Sequence, residues 1–370
     1  MKLKIAYVVS TLRRSGPTNQ LRNIIRNLNG EEFESVVITL SPEPADSMGS
    51  LFLEDGIPVL SLKKSRINGL LSGLSALRKM LRDIKADVIH TQGIRADLMA
   101  LRLKEWKSVS TQRNDPFVDY LDKYGRIQGG LMGWMQMKVM IKGRNIYACS
   151  ASLSSIYKKK YRLDIPYVQN GVDTDHFSLP DAENKKAARQ RLGLDPDRFT
   201  IVTVGSHLPR KNHEASIIGA NHCGFPLTLI ILGRVPRPET LLALAAEQVE
   251  VLIPGLVSDV RPFFAASDIF VSSSRSEGLP NAVLEAMACG LPPVLSDIEQ
   301  HREIFTGLDW PYFFDVDKTA QLGEKMGEFR AKDTKGLSDE VREIVLDRFS
   351  AAGMSAKYQK IYKALWNGNQ

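Results

Sequence analysis

The sequence predicts an α/β protein built from two doubly wound parallel-sheet domains. Its length of 370 residues exceeds what one hydrophobic core usually organises, so two domains are expected. Short apolar runs alternate with helical patterns along the whole chain, which is typical of parallel sheets covered by helices on both faces. Hydrophobic residues make up 43% and charged residues 25%, which indicates a globular protein and excludes a disordered or fibrous chain.

Eleven apolar runs are predicted to be buried strands. They are KIAYVVS, SVVITL, IPVLSL, DVIHT, SVST and NIYACS, followed by FTIVTVGS, LTLIILG, VEVLIPG, DIFVSS and LPPVLS. The first run is interpreted as a strand rather than a signal peptide, because it is short and no small-residue cleavage site follows it. In such sheets ligands bind beyond the carboxyl ends of the strands, so the loops that follow strands are where chemistry is expected.

The domain break is predicted at the turn Asn170-Gly171, in a polar segment. The domains are then residues 1–170 and 171–350, with a C-terminal helix at about 351–370 that packs back onto the first. Residues 1–170 hold 27 Lys and Arg against 15 Asp and Glu, a net charge of +12, whereas the remainder holds 22 against 27, or −5. A basic half suits an anionic lipid surface or a phosphate-bearing partner, or it is a solvated surface that maintains solubility.

The three cysteines, Cys149, Cys223 and Cys289, are odd in number and widely scattered, so neither a disulfide framework nor a zinc site is indicated. No apolar stretch is long enough for a transmembrane helix. We therefore expect a cytoplasmic protein.

The stretch SRSEGLPNAVLEAMACG places two glutamates near one loop. The loop after DIFVSS carries Glu277, and a helix is predicted from Asn281 to its terminator Gly290. Glu285 lies on this helix among apolar residues, and an unpaired buried carboxylate is costly. Its partner is either an internal Arg or Lys or the vicinal hydroxyls of a bound ribose.

The backbone amides of Gly278 and Leu279 stand next to the N-terminus of this helix. Such amides form an anion-binding corner that suits a phosphate or a hydroxyl-rich group.

The segment SEGLPNAVLEAMACGLPPVLSD resembles the Glu-x7-Glu signature of retaining glycosyltransferases of the GT-B fold, family 4 (glycosyl transferases group 1). PGLVSDVRPFFAASDIFVSSS, YVQNGVDTDHF and VGSHLPRKN are similar to the segment before that signature, the interdomain crossing and the phosphate-binding loop of the family. The resemblance covers nearly the whole chain. It implies a hexosyltransferase with two Rossmann-like domains facing across a cleft, the N-terminal one for the acceptor and the C-terminal one for a nucleotide sugar.

The resemblance also implies roles for single residues. Glu285 would bind the nucleotide ribose, Glu277 the hydroxyls of the donor sugar and Lys211 the diphosphate, while Val257 would lie beside the base. Lys211 follows the strand FTIVTVG, so it is expected at the same sheet edge as Glu277, where a cation can neutralise charge on a leaving diphosphate.

Two positions in this chain differ from the family pattern. Many members carry arginine where this chain has Ser206, and we expect Arg210 to replace that charge from a shifted position. In VSTQRNDPFVDYLDKYG, Arg113 stands where a histidine of the family commonly contacts the donor sugar. Arg113 therefore indicates different donor or acceptor chemistry.

The first loop, STLRRSGPTNQ, contains Gly16 before a helix predicted to start near Thr18. It resembles the glycine loop of the family, in which backbone amides approach the donor phosphates or the acceptor. His90, at the end of a strand, either reaches the cleft or is a satisfied structural residue. Asp173-x-Asp175 resembles a metal-binding acidic pair, but it lies in the interdomain crossing, so no catalytic metal and no cofactor are expected.

The segment YGRIQGGLMGWMQMKVMIKGR combines apolar residues with Arg126, Lys138, Lys142 and Arg144. It is either a basic amphipathic surface for membrane contact or a buried methionine-rich helix. The nearby YKKKYR, residues 157–162, favours the membrane interpretation. The protein would then be peripheral on the inner face of the membrane.

We therefore expect a retaining glycosyltransferase that moves a sugar from a nucleotide sugar, a UDP-sugar, to a saccharide or lipid-linked saccharide acceptor in envelope or capsular polysaccharide synthesis, with no nucleic acid as partner. One alternative is an epimerase or phosphorylase on the same fold. Another is a catalytically silent scaffold that binds nucleotide sugars, which Ser206 and Arg113 favour.

Overall fold

The computed structural model describes residues 2–64, 72–179, 182–331 and 336–368. The strands are β1 Leu3–Val9, β2 Phe33–Thr39, β3 Val59–Ser61, β4 Val88–Gln92, β5 Lys107–Gln112, β6 Ile146–Ala148, β7 Phe199–Val204, β8 Leu227–Leu232, β9 Val249–Gly255, β10 Ile269–Ser272, β11 Pro293–Ser296 and β12 Phe313–Phe314. The helices are α1 Gly16–Arg26, α2 Gly49–Glu54, α3 Ser72–Asp83, α4 Ile94–Ala100, α5 Pro116–Lys142, α6 Ala151–Tyr161, α7 Ala182–Arg191, α8 His213–Asn221, α9 Pro238–Leu242, α10 Arg261–Ala266, α11 Asn281–Ala288, α12 Glu299–Ile304, α13 Thr319–Ala331, α14 Leu337–Arg348 and α15 Ala351–Asn367.

The eleven predicted strands are all present, as β1 to β11. The sequence reasoning missed β12, which has only two residues and therefore shows no periodic pattern. None of the described helices combines the length and the apolar character needed to cross a membrane.

The strands form two six-stranded sheets with the same order. The first is β3-β2-β1-β4-β5-β6 and the second is β9-β8-β7-β10-β11-β12, and their strand pairs are parallel. This is the doubly wound order of nucleotide-binding folds, in which the strand order reverses between the first and fourth strands of each sheet. The crevice at that switch point is where ligands bind.

The chain divides into two compact units. Unit 1 comprises Met1–Gly171 with Ala351–Gln370, and unit 2 comprises Val172–Ser350. The sequence analysis predicts the domain break at residue 170 and predicts that the C-terminal helix packs onto the first domain. The acceptor and donor roles of these domains stay predictions.

The core of unit 1 follows from the alternation of side chains along its strands. In β1, Ile5, Tyr7 and Val9 belong to one buried cluster, whereas Ala6 and Val8 belong to the cluster on the opposite face. The first cluster includes three buried residues of α15, Met354, Tyr358 and Tyr362, so the C-terminal helix completes the core of this unit.

His90 is a structural residue of this core. It is buried in β4, where its Nδ1 lies 2.6 Å from Tyr362 Oη and its Nε2 lies 2.8 Å from Thr111 Oγ1. Burial, with a smaller effect from the charge of Arg113, lowers the pKa of His90 to about 3. Of the two interpretations of His90, the structure supports a structural residue, because both ring nitrogens have hydrogen-bond partners inside the core.

Candidate active site

The loops after β7 and β10 meet at the carboxyl edge of the second sheet. Lys211 lies in a 3-10 helix, Pro209–Lys211, that follows β7, and Glu277 lies in the loop that follows β10. Because β7 and β10 are adjacent parallel strands, their carboxyl ends bring the two loops together. Lys211 Nζ donates to Glu277 Oε1 at 2.6 Å, at the switch point of the sheet.

Glu277 is buried and fully paired. Its Oε1 also accepts a hydrogen bond from Ser274 Oγ at 2.7 Å, and its Oε2 accepts one from Arg210 Nη1 at 3.1 Å. Burial by itself raises the pKa of Glu277, but the charges of Lys211 and Arg210 and these hydrogen bonds outweigh it and lower the pKa to about 2. Glu277 is therefore ionised at neutral pH.

Local structure holds Lys211 in this position. A Cβ at Gly205 would lie 3.0 Å from Lys211 Cε, so the glycine lets the lysine stem pack against the backbone. The next residue, Asn212, has a left-handed φ of 52° and donates through Nδ2 to the Ser273 carbonyl at 3.2 Å. Ser206 is exposed, whereas Arg210 contacts Glu277; that Arg210 replaces the charge of the family's arginine stays a prediction. Lys211 and Arg210 thus share the carboxylate of Glu277.

Glu285 lies in a different environment. It sits on α11, which begins at Asn281 as predicted, and Gly290 follows the helix with a φ of 71°. Its side chain is half-buried and forms no hydrogen bond or ion pair with any residue that the structure describes. Burial raises the pKa of Glu285 to about 7, and the charge of Lys211 offsets this only in part. No Arg or Lys of the described ranges pairs with Glu285, so the structure does not support an internal partner; ribose binding stays a prediction.

The other predicted residues of the donor site lie in the same unit. Gly278 and Leu279 are buried between Glu277 and the start of α11, and Val257 is half-buried in the loop after β9. Their contacts with a nucleotide sugar stay predictions.

Unit 1 contains a cavity of about 290 Å³ at the carboxyl edge of its own sheet. The first loop, Gln92 at the end of β4, and Arg113 after β5 line it, together with the start of α5. The first loop ends in α1, which begins at Gly16, two residues before the predicted start near Thr18. The cavity is lined by Ser15 and Pro17, the two neighbours of Gly16.

The segment 124–144 falls in α5, which is broken at Gly125 with a φ of 74°. Val139 and Met140 are buried, so the core interpretation holds for one face. The opposite face is exposed: Ile127 is 92% exposed and Trp134 is 58% exposed. The core interpretation therefore holds for the buried face, and membrane contact by the exposed face stays a prediction.

The acidic pair of the interdomain crossing lies in a turn. Asp173 Oδ1 accepts a hydrogen bond from the backbone amide of His176 at 3.1 Å, which is a turn-stabilising contact. That the reaction uses no metal stays a prediction.

Sequence reasoning assigned no role to two residues that hold these sites together. Ser274 supports the Glu277 carboxylate, and Gln92 supports the guanidinium of Arg113. Both stand at or just after the end of a strand, which is the signal that could have found them.

Two sequence-family models match the chain. The model for glycosyl transferases group 1 matches residues 198–330, and the model for glycosyltransferase family 4 matches residues 14–176. The chain belongs to the family 4 glycosyltransferases. It is therefore an enzyme, a hexosyltransferase, and the matched ranges include Glu277 and Lys211 in unit 2 and Arg113 in unit 1.

Relatives of this glycosyltransferase cover its whole length. The O-antigen biosynthesis glycosyltransferase WclY of Escherichia coli is 24% identical over 373 residues, which are 98% of this chain and 99% of WclY. The UDP-Gal:alpha-D-GlcNAc-diphosphoundecaprenol alpha-1,3-galactosyltransferase of the same species is 27% identical over 80% of each chain. Anabaena HepE, solved with UDP and glucose, superposes with a TM-score of 0.78 at 16% identity, over 98% of this chain and 100% of its own. The glycosyltransferase thus has the GT-B fold.

Proposed function

We propose that this enzyme transfers a sugar from a UDP-sugar to a saccharide or lipid-linked saccharide acceptor, with retention of the anomeric configuration, in the synthesis of an O-antigen or a similar envelope or capsular polysaccharide. The observation that carries the proposal is the pair of carboxylates on either side of the start of α11. Glu277 accepts hydrogen bonds from Lys211, Arg210 and Ser274, whereas the side chain of Glu285 has no partner among the described residues.

Glu285 is the ribose-binding residue in this proposal. A half-buried carboxylate without a partner is destabilised, and two vicinal hydroxyls would each donate a hydrogen bond to it. The ribose thereby supplies the hydrogen-bond donors that the protein does not provide. Because these bonds stabilise the carboxylate, nucleotide binding favours the ionised form of Glu285.

Lys211 and Arg210 hold the diphosphate in this proposal. Both cations lie against the Glu277 carboxylate, and an anionic ligand at this sheet edge would share them with it. When the bond between the anomeric carbon and the phosphate oxygen breaks, negative charge grows on the leaving diphosphate. A preorganised cation stabilises that charge more in the transition state than in the ground state.

The proposed chemistry needs no side chain as general base. The acceptor hydroxyl oxygen forms its bond to the anomeric carbon on the face from which the diphosphate leaves. The acceptor proton passes to the leaving phosphate oxygen, so the diphosphate acts as leaving group and as base. Glu277 then binds hydroxyls of the donor sugar, and its low pKa keeps it an acceptor of hydrogen bonds.

The relatives support the choice of donor and acceptor. The name of the E. coli galactosyltransferase specifies a UDP-sugar donor and a diphosphoundecaprenol-linked acceptor, and HepE was solved with UDP and glucose. The two cations beside Glu277, Lys211 and Arg210, are compatible with a nucleoside diphosphate. We therefore carry both substrate classes over to this enzyme as part of the proposal.

A lipid-linked acceptor requires access to a membrane, and α5 offers a surface for it. Four exposed apolar residues and one exposed lysine follow each other at helical spacing along one face of α5. They are Ile127, Leu131, Trp134, Lys138 and Ile141. Lys138 Nζ lies 5.3 Å from the Trp134 ring centroid, and Lys142 is exposed beside the row. An apolar row flanked by cations matches the boundary between headgroups and acyl chains of an anionic bilayer. We call these residues the α5 surface.

A thermal-shift panel of UDP, GDP, ADP, CMP and their sugars tests the donor assignment. A ligand that binds only the folded state at 100 times its dissociation constant adds about 2.7 kcal/mol of stability. We expect UDP and one UDP-sugar to give the largest shifts. Transfer to a polyprenyl-diphosphate-linked sugar, with the product anomer determined by NMR, then tests reaction and stereochemistry.

The same assays separate the alternatives. Consumption of the nucleotide sugar without any acceptor supports the epimerase or phosphorylase. Binding of a nucleotide sugar without turnover on any acceptor supports the silent scaffold. Inversion of the anomeric configuration would contradict the proposed mechanism while leaving the donor assignment intact.

Vesicle co-sedimentation tests the α5 surface. Binding should increase with anionic lipid content and fall with salt, because exposed charges are screened over about 10 Å at 0.1 M ionic strength. Lys138→Gln with Lys142→Gln should weaken binding roughly 30-fold, since each surface lysine contributes about 1 kcal/mol. Leu131→Ser with Trp134→Ser should also weaken it, whereas Leu256→Ser in unit 2, where Leu256 is 54% exposed, should not. Equal binding to neutral and anionic vesicles would contradict the proposal.

A further inference from the structure

The cavity of unit 1 lies where a doubly wound sheet binds ligands. The loop after β1 and the residues that end β4 line it, and β1 and β4 are the adjacent strands at which the strand order reverses. In unit 2 the equivalent position holds Lys211 and Glu277. Its volume of about 290 Å³ is sufficient for one sugar or phosphate group.

Three cationic side chains line this cavity, and two of them are paired. Arg13 Nε lies 3.3 Å from Asp46 Oδ1, and Lys123 Nζ lies 2.8 Å from Asp119 Oδ2. Asp119 also lines the cavity, but its ion pair with Lys123 offsets its charge. Arg113 forms no ion pair with any residue in the described ranges, so its charge is left uncompensated.

Neutral oxygen atoms hold the guanidinium of Arg113. Gln92 Oε1 accepts from Nε at 3.2 Å and from Nη2 at 3.0 Å, and Asn170 Oδ1 accepts from Nη1 at 2.8 Å. A guanidinium has five N–H groups, and these contacts use three. Two N–H groups therefore remain on a side chain that lines the cavity.

Gln92 provides a second, independent donor. Because Oε1 of Gln92 accepts from Arg113, its Nε2 must point elsewhere, and this nitrogen is buried without a hydrogen-bond partner in the described structure. Gln92 is only 8% exposed and lines the cavity. A buried donor without an acceptor is costly, so a ligand that supplies oxygen atoms would stabilise this site.

We propose that this cavity binds an anionic oxygen group, a carboxylate or a phosphate, of one of the enzyme's sugar substrates, with Arg113 as the ion-pair partner and the Gln92 amide as a second donor. The planar guanidinium suits both groups because it can donate two parallel hydrogen bonds. The anion comes either from an acidic donor sugar such as a uronic acid or from the diphosphate of a lipid-linked acceptor. The inference rests on the proposed function in that the ligand is a substrate of transfer.

The experiment compares matched charged and neutral probes. UDP-glucuronic acid and UDP-glucose form the donor pair. A short-chain polyprenyl-diphosphate-linked N-acetylglucosamine and an alkyl N-acetylglucosaminide form the acceptor pair, measured in the presence of saturating UDP. Isothermal titration gives the affinity of the full-length protein for each probe.

Three variants isolate the charge. Arg113→Gln removes it, Arg113→Lys keeps it without the planar fork, and Gln92→Glu places a carboxylate on the guanidinium with almost no change of shape. For the charged member of one pair we expect at least a tenfold loss of affinity in Arg113→Gln and Gln92→Glu and a smaller loss in Arg113→Lys. The neutral member should change less than twofold, and the pair that responds identifies the source of the anion.

Equal losses for charged and neutral probes, or no loss for either charged probe, would overturn the proposal. Circular dichroism checks folding, and if Arg113→Gln does not fold, Gln92→Glu and Arg113→Lys carry the test. Binding of UDP to unit 2 should remain unchanged in all three variants. If the wild-type protein fails to bind UDP, the donor assignment fails, whereas the acceptor pair without UDP still tests Arg113.

Discussion

Units 1 and 2 share a strand order but carry opposite net charges. Unit 1 has 30 Lys and Arg against 15 Asp and Glu, a charge of +15, whereas unit 2 has 19 against 27, or −8. Yet the cation pair suited to a diphosphate, Lys211 and Arg210, lies in the acidic unit. The net charge of a unit thus says little about where an anion binds, because the loops at the switch point decide it.

The two sites also differ in how their charges are held. In unit 2, Glu277 neutralises part of the charge of Lys211 and Arg210, and a ligand must share those cations. In unit 1, Arg113 rests on the neutral side chains of Gln92 and Asn170. In the proposed function, the first arrangement would hold a diphosphate that leaves during the reaction, and the second would leave a charge open to a group that stays intact.

The largest expected effect is on the leaving group in unit 2. Lys211→Ala should reduce turnover roughly a hundred- to thousand-fold, because removal of one preorganised charge-stabilising donor costs about 2.7 to 4 kcal/mol in the transition state. Donor affinity should fall less. Steady-state transfer kinetics, with donor affinity measured separately by titration, check this.

Arg210 supplies the control for this prediction. It binds the other oxygen of Glu277, so the double variant Lys211→Ala with Arg210→Ala should lose more rate than the single one. A Lys211→Ala enzyme with normal turnover and weak donor binding would show that Lys211 only holds the donor.

The next effect concerns the unpaired carboxylate of unit 2. Glu285→Gln should weaken nucleotide binding roughly 10- to 100-fold, because hydrogen bonds to a charged group contribute about 1.5 to 3 kcal/mol and an amide is a poorer acceptor for two hydroxyl donors. The fold should persist. Titration with UDP and with 2′,3′-dideoxy-UDP checks this, since the dideoxy ligand should bind both proteins equally. Unchanged affinity for UDP would remove Glu285 from the site.

A smaller effect is expected from pH. With the pKa of Glu285 at about 7, the ionised form prevails above pH 7 and the protonated form below it. Because the ribose hydroxyls need an acceptor, affinity for the UDP-sugar should fall by up to about tenfold from pH 8 to pH 6. Glu277, with its pKa at about 2, stays ionised over this range. UDP-sugar is the probe, because the terminal phosphate of free UDP titrates near pH 6. Glu285→Gln should abolish the pH dependence, and its persistence in that variant would assign it to another group.

The smallest effect concerns the core of unit 1. Tyr362→Phe removes the hydroxyl that contacts His90 Nδ1 and leaves that buried nitrogen without its partner, which should lower the free energy of unfolding by about 1 to 3 kcal/mol. Urea denaturation followed by circular dichroism measures this. Tyr124→Phe, at a tyrosine that is 39% exposed, serves as the control. The affinity of unit 2 for UDP should not change, and a matching loss there would argue against separate roles for the units.

Most of the fold could be predicted because apolar runs with strand length are local signals. Eleven strands and the start of α11 at Asn281 follow from such patterns, whereas the two residues of β12 offer none. The meeting of Lys211 and Glu277 could also be anticipated, since both follow strands. The alternatives for His90 and Glu285 could not be settled, because a sequence does not say which polar partners surround a buried group.

The sequence by itself determined the α/β class and the family and named the candidate site residues, because these depend on periodicity and on motifs a few residues long. Only the tertiary structure decided how those residues are paired. His90 is a structural residue because it contacts Tyr362, which is 272 residues away. Glu277 has three hydrogen-bond partners, whereas Glu285 has none among the residues that the structure describes. The uncompensated charge of Arg113 likewise depends on Gln92 and Asn170, which distant segments of the chain bring to the same place. Pairing depends on distances across the folded core, and a linear pattern does not encode them.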